Sequence, residues 1–325
     1  MSLARPGLRA RAGLFQICLA GALWGTGGLA VEVVRDHAPL SPLTISAYRT
    51  GIAALVLLVA ALLLRRLGDV RRLLRERPGL TCLVGLCTAA YQALYFASVV
   101  AVGVTVSTVV SLGLAPLLLA GRDAVRRRAL PSPREALPVV AALVGLVLVS
   151  GTAGHGDTGP EPVLGVVLAI ASGTAYAAAT AWGEGLARST DPVVLTTATT
   201  SVGALGLVPV ALLGGGPYVT ADPEAVATLL YLGVLTFALA YALLYAGLRT
   251  TSSSAAVVAT LVEPVTAGLV AVAFLGERLG APGVVGMVLV LVAIATLNAP
   301  PAPAAGPVRA RPRGWTRGRR AGARD

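Results

Sequence analysis

Residues 42–77 read PLTISAYRTGIAALVLLVAALLLRRLGDVRRLLRER, and this stretch decides the fold. Residues 42–64 are apolar apart from Arg49 and a few hydroxyl side chains. A helix needs about 20 such residues to cross a hydrocarbon core. The run stops at Arg65 and Arg66, and Arg71, Arg72, Arg75 and Arg77 follow before the next apolar segment. This is a membrane span with the flanking charge that fixes orientation.

The same alternation runs through the chain. Ten apolar segments lie near 13–34, 42–64, 79–99, 102–121, 136–151, 162–185, 193–213, 226–247, 252–274 and 280–298. Only Val100 to Val104 separates the third from the fourth, which predicts a tight hairpin. Pro138 sits near the start of the fifth and shortest. The first follows Arg5, Arg9 and Arg11 as a signal peptide would. Its apolar run is too long for one and ends in no small-residue cleavage site, so a retained helix is expected.

Bulk composition agrees. Hydrophobic residues make up 56% of the 325 positions, charged residues 13%, and the mean hydropathy is +0.80. A soluble domain carries roughly 25% charge. The net charge of +11 does not indicate nucleic acid, because the arginines lie between apolar segments rather than on one face with aromatics. Cys18, Cys82 and Cys87 fall within apolar runs and form no CxxC pair, and His37 and His155 have no partner at metal-ligand spacing. No metal, no cofactor and no disulfide framework is expected.

All 26 basic residues are arginine, and they orient the chain. With the N-terminus in the cytoplasm, 23 fall inside, Arg35 and Arg278 outside, and Arg49 within a helix. Asp157, Glu161, Asp222 and Glu224 then lie outside. A bias of this size predicts an inner-membrane protein with both ends cytoplasmic. The tail from Ala299, rich in proline, glycine and arginine, has no apolar period and is expected to be disordered. Lipid headgroups are its expected contact.

The two halves resemble one another. Tyr91-Gln-Ala-Leu-Tyr95-Phe-Ala97 matches Tyr241-Ala-Leu-Leu-Tyr245-Ala-Gly247. Thr105-Val-Ser107 leading to Leu114-Ala-Pro116 matches Ser252-Ser-Ser leading to Val262-Glu263-Pro264. Leu23-Trp24-Gly25 matches Ala175-Tyr176-Ala177 more loosely. A unit of five helices is odd, so the second copy enters the membrane in the opposite direction. The expected fold is an all-α membrane protein of ten transmembrane helices in two inverted five-helix repeats. Its parts are a cytoplasmic segment 1–12, a first repeat 13–151, an external linker 152–161, a second repeat 162–298 and the tail 299–325. Such repeats place a solute site at their interface near the bilayer midplane.

Leu261-Val-Glu263-Pro264-Val265, Leu275-Gly276-Glu277-Arg278-Leu279, Gly286 and an apolar final helix resemble the drug/metabolite transporter superfamily, in its ten-helix EamA-type branch. Leu23-Trp24-Gly25 and Tyr48-Arg49 support the resemblance, which covers residues 13–298. The first half departs from the pattern, with Arg127-Arg-Ala-Leu130 in place of a Gly-Glu-Arg-Leu and Ala115 before Pro116. The resemblance implies secondary transport without ATP, often export of amino acids or other metabolites.

Charge inside a span costs at least about 2.5–3.5 kcal/mol at a helix centre, so Arg49 and Glu263 need a reason. Arg49 is either a fork for a substrate carboxylate, or it snorkels to an interface or pairs structurally with Glu32 or another carboxylate. Glu263 precedes Pro264, whose missing N–H frees a carbonyl one turn earlier. It is expected to carry ion coupling, as a proton carrier or as the counter-charge of a cationic substrate, with a structural partnership to Arg49 as the alternative. Tyr91 and Tyr95, and Tyr241 and Tyr245, each share a helix face. With Gln92 and Trp24 they are candidate solute contacts, against the alternative of interfacial aromatics. Ser107, Ser111 and Ser252 to Ser254 read as helix-packing residues. Glu277 and Arg278, like Glu32 and Glu184, read as surface groups at helix ends. The expected partner is a small solute, amino-acid-like or lipophilic, and a monomer suffices for it. A channel or structural component is the competing class; no nucleophile–base pair or metal cluster suggests an enzyme.

Overall fold

A computed structural model describes residues 6–152, 160–274 and 280–297. The readings of His155, Asp157, Glu277, Arg278 and the tail 299–325 lie outside the described residues, as does most of the linker 152–161. Among the described residues every regular element is helical. The helices are α1 (Pro6–Gly25), α2 (Gly27–His37), α3 (Pro42–Leu63), α4 (Leu67–Glu76), α5 (Pro78–Val102), α6 (Val104–Arg127) and α7 (Pro133–Thr152). They continue as α8 (Pro162–Ala187), α9 (Pro192–Leu213), α10 (Pro223–Gly233), a π-helical turn (Val234–Leu239) and α11 (Ala240–Leu248). The last three are α12 (Ser253–Ala259), α13 (Val262–Phe274) and α14 (Ala281–Thr296).

Prolines and short polar caps set the starts. Ser41, Asp191 and Asp222 accept hydrogen bonds from the first-turn amides of α3, α9 and α10, each of which opens on proline. Proline at the first helical position loses no hydrogen bond, and the cap satisfies an otherwise unmet donor. Gly103, at φ 90°, makes the one-residue hairpin between α5 and α6. A side chain there would be strained, so the chain uses glycine.

Nine helical stretches among the described residues are long and apolar enough to cross a membrane, counting α1–α2, α10–α11 and α12–α13 as single interrupted spans. The segment expected at 280–298 is α14, with 16 residues. At 1.5 Å per residue it is about 24 Å long, short of a full crossing. Leu55, Leu62, Val163 and Leu205 stand exposed on the outer surface, where lipid rather than water would accept them. One element was not anticipated. Residues 67–76, in the arginine-rich stretch between the second and third apolar segments, form α4, which buries Val70 and Leu73 against the bundle and turns its arginines outward.

The spans pack closely because small residues meet backbone. α5 lies on α8 and α9, α6 on α8, α3 on α9 and on α10 with the π turn, and α7 on α14. α1 lies on α11, α12 and α13, and α2 lies on α10. A methyl placed on Gly145 would stand 2.6 Å from the Gly286 carbonyl, and one on Gly286 would stand 2.7 Å from the Gly145 carbonyl. Such contacts let bilayer helices gain dispersion energy where no hydrophobic force joins them. The expected serines serve the same end. Ser98 Oγ lies 2.7 Å from Ser107 Oγ and donates to the Gly165 carbonyl, and Ser111 Oγ donates to the Ala169 carbonyl.

Gly145→Val should therefore destabilise the α7–α14 pair by about 1–3 kcal/mol, the usual cost of overpacking. Gly113→Ala, whose new methyl would meet only side-chain atoms from 3.3 Å outward, should cost much less. Thermal unfolding in detergent measures both, and equal melting temperatures would refute the close-contact account.

Candidate functional site

Three spans lose regular helix, and the breaks converge. The first is Trp24-Gly25-Thr26-Gly27-Gly28, where three glycines in five weaken the helix and α1 ends. Thr26 Oγ1 closes the gap by donating to the Leu23 carbonyl and lies 2.7 Å from Tyr231 Oη. The second break, at Thr260 and Leu261, separates α12 from α13. Pro264 has no N–H to give the Thr260 carbonyl, and the Glu263 amide takes that carbonyl at 2.9 Å instead. The third is the π turn, a form that recurs at functional sites. Gly25 joins the first two breaks: a methyl there would lie 2.4 Å from the Glu263 carbonyl.

Arg49 enters from α3. Its Nη2 donates to Thr236 Oγ1 in the π turn at 3.3 Å, and that hydroxyl donates to the Leu232 carbonyl at 2.7 Å. Arg49 Nε is buried without a hydrogen-bond partner. Glu263 is half-buried, and among the described residues its carboxyl makes no hydrogen bond and no ion pair within 4.0 Å. Arg49 and Glu263 lie within each other's electrostatic reach without touching. The alternative in which Arg49 pairs with Glu32 does not occur: no such ion pair is present, and Glu32 is exposed.

Tyrosines surround the two charges. Tyr91 stacks against Tyr176 at 5.0 Å between ring centres, and Tyr241 lies 5.2 Å from Trp24 and 4.6 Å from Phe237. Tyr91 and Tyr241 both sit in the fields of Arg49 and Glu263, and neither hydroxyl has a hydrogen-bond partner among the described residues. A small cavity beside them, with room for about one water, is lined by Thr88, Tyr91, Tyr176, Thr180, Tyr241 and Tyr245. The structure thus brings Trp24, Arg49, Tyr91, Tyr241, Tyr245 and Glu263 together.

Two expected residues are engaged elsewhere. Gln92 is buried and accepts a hydrogen bond from Ser46, tying α5 to α3. The Tyr95 hydroxyl lies 2.8 Å from Thr108 Oγ1 on α6. Two contributors were missed. Tyr176, hydrogen-bonded to Thr260 at the second break, was visible only as the loose counterpart of Trp24. Thr236 had no signal, because one threonine in an apolar run does not announce a π turn.

The interior thus gathers an arginine fork, a carboxyl and several phenols beside a space that in this conformation admits about one water. Among the described residues no cluster of three metal-ligating side chains occurs. The fold is that of a multi-pass helical membrane protein. The chain belongs to the EamA-like transporter family, which matches residues 11–151 and again residues 163–299. It is similar to the uncharacterized transporter YwfM of Bacillus subtilis (strain 168), 27% identical over 285 residues, covering 88% of this chain and 93% of that one. An uncharacterized transporter of Archaeoglobus fulgidus is 30% identical over 148 residues, covering 45% of this chain and 51% of its own length. A solved crystal structure superposes on 88% of this chain and 96% of its own with a TM-score of 0.73 at 19% identity, a likeness of fold.

Proposed function

We propose that this transporter is a secondary carrier that exports a small zwitterionic metabolite, an amino acid or similar, across the inner membrane by alternating access. Coupling runs through a proton or another ion at Glu263. The observation that carries this reading is the pair of opposed charges, Arg49 and Glu263, neither neutralised by a salt bridge, at the level where three spans lose helix. Retaining them in an apolar bundle without a solute would be costly.

Packing supports ten spans in two inverted units. Number the spans with α1–α2 first, α3 second, α5 third, α6 fourth and α7 fifth. In the second half α8 is sixth, α9 seventh, α10–α11 eighth, α12–α13 ninth and α14 tenth. Exchanging each span with the one five places on turns α5 on α8 into α10–α11 on α1–α2, and α6 on α8 into α12–α13 on α1. It turns α5 on α9 into α10 on α3, and returns α3 on α9 and α7 on α14 to themselves. A two-fold axis in the membrane plane would produce this pattern. The arginine bias then puts both ends of the chain in the cytoplasm.

The aromatic surround of Trp24, Phe237 and Tyr241 favours a second reading, efflux of lipophilic cations. A growth-inhibition screen of an overexpressing strain against amino acids, their analogues and toxic cations separates the two. The protecting compound is then tested in proteoliposomes, where a carrier should show saturable flux driven by a pH gradient. Non-saturating flux, or none that follows the gradient, would end the carrier reading.

A further inference from the structure

The exchange of halves fails in several places: α11 and α12 on α8, α8 on α9, and α12–α13 on α7 have no counterpart of comparable size among the described residues. Among these, α12 packs on α8, but no comparable contact joins α6 to α1 or α2, which the exchange would require. An inverted pair of repeats is equivalent across the membrane except where sequence or conformation differs, and the α12 contact on α8 is one such difference, at a single face of the bundle. Polar groups hold it. Glu184, near the end of α8, accepts the Ser253 amide at 2.9 Å and pairs with Arg188 at 2.7 Å. From the other side Arg122 Nη2 donates to Ser253 Oγ at 2.9 Å, and Asp123 accepts from Ser254 while pairing with Arg122. The start of the ninth span is thus gripped by the ends of the fourth and sixth.

The mirror of this grip is present in the sequence but open. Tyr176 matches Trp24 at a spacing of 152, and the same spacing carries Glu184 to Glu32 on α2. The counterpart of Ser253, at the hairpin's spacing of 148, is Thr105 at the start of α6. Glu32 is exposed with no hydrogen bond or ion pair among the described residues, and no side chain caps the first turn of α6. Among the described residues, the donors and the carboxylate of a second latch both stand unpaired.

We propose that Glu184 and Glu32 are a pair of gating carboxylates. Glu184 latches the cytoplasmic face by holding the start of the ninth span, as in this structure. Glu32 latches the outer face by holding the start of the fourth once the hollow opens inward. The first half of this statement rests on the observed contacts together with the orientation and alternating access proposed above; the second rests also on the inverted duplication.

The test needs no solute. In a background with Cys18, Cys82 and Cys87 replaced by alanine, Thr88→Cys places a thiol in the cavity. Its reaction with a membrane-impermeant maleimide in inside-out vesicles reports opening to the cytoplasm. Glu184→Gln keeps the shape but loses the charge-assisted bonds, and should speed labelling roughly tenfold or more. Asp123→Asn, which loosens the grip without touching Glu184, should speed it in the same direction. Glu32→Gln should slow it, because the inward-open state loses its latch. Monodisperse elution from a sizing column checks the fold of each variant. Unchanged labelling in both Glu184→Gln and Asp123→Asn would overturn the inner latch. A Glu32→Gln rate that is unchanged or raised would overturn the mirrored role alone, and if Glu184→Gln does not fold, Asp123→Asn and Glu32→Gln still decide.

Discussion

Glu263→Gln is expected to abolish gradient-driven accumulation of the solute, a fall of at least about tenfold, while leaving the amount and stability of membrane-inserted protein unchanged or improved. Glutamine has the same shape, so the contact of the Glu263 backbone with Gly25 and the break before Pro264 persist. It cannot bind or release a proton at the working pH, so a coupling step that uses this carboxyl has no substitute. The cost of holding a carboxylate in an apolar bundle also disappears, and among the described residues no salt bridge or hydrogen bond to that carboxyl is broken. Flux into proteoliposomes with and without a pH gradient, beside a melting curve in detergent, measures both effects. Wild-type accumulation by the variant would remove Glu263 from the mechanism. A large loss of stability with it would make the residue structural.

Arg49→Gln carries the second large expectation, a rise in the KM for a zwitterion of roughly tenfold to a hundredfold. The basis is the loss of one charge-assisted contact in a partly buried site. Arg49→Lys should not restore affinity, because an ammonium cannot present the planar fork, and Thr236 Oγ1 would lose the donor it now meets at 3.3 Å. Arg49 and Glu263 share a field, so combining Arg49→Gln with Glu263→Gln should cost less than the sum of the separate losses. Initial-rate flux against solute concentration separates KM from maximal rate. An unchanged KM with a lowered maximal rate would place Arg49 in the moving scaffold instead of the solute site.

Legibility in the sequence followed the length scale of the physics. Spans are long and their solvent is uniform, so about 20 apolar residues in a row had no other reading, and α3, α5 and α9 lie within a few residues of where the apolar runs put them. α4 escaped notice because ten residues, half of them charged, hold a helix only once Val70 and Leu73 find α9. Arg49 and Glu263 could be picked out singly because charge in hydrocarbon is rare. Their neighbours could not, since Tyr176 and Thr236 are ordinary residues whose place depends on which helices cross.

The sequence by itself determined that this is an all-helical membrane protein, that its halves resemble one another, and that two ionisable groups sit inside spans. Only the tertiary structure decided that the interruptions at Thr26 and Thr260 meet, and that Arg49 reaches the third at Thr236. It alone decided that Gln92 braces α3, and that Glu184 grips the ninth span while Glu32 makes no hydrogen bond or ion pair among the described residues. The physical reason is that partition into lipid acts on each segment separately and leaves its mark in local composition. Contact between helices depends on close approach at single glycines and on hydrogen bonds between residues more than a hundred positions apart, and neither has a local signature.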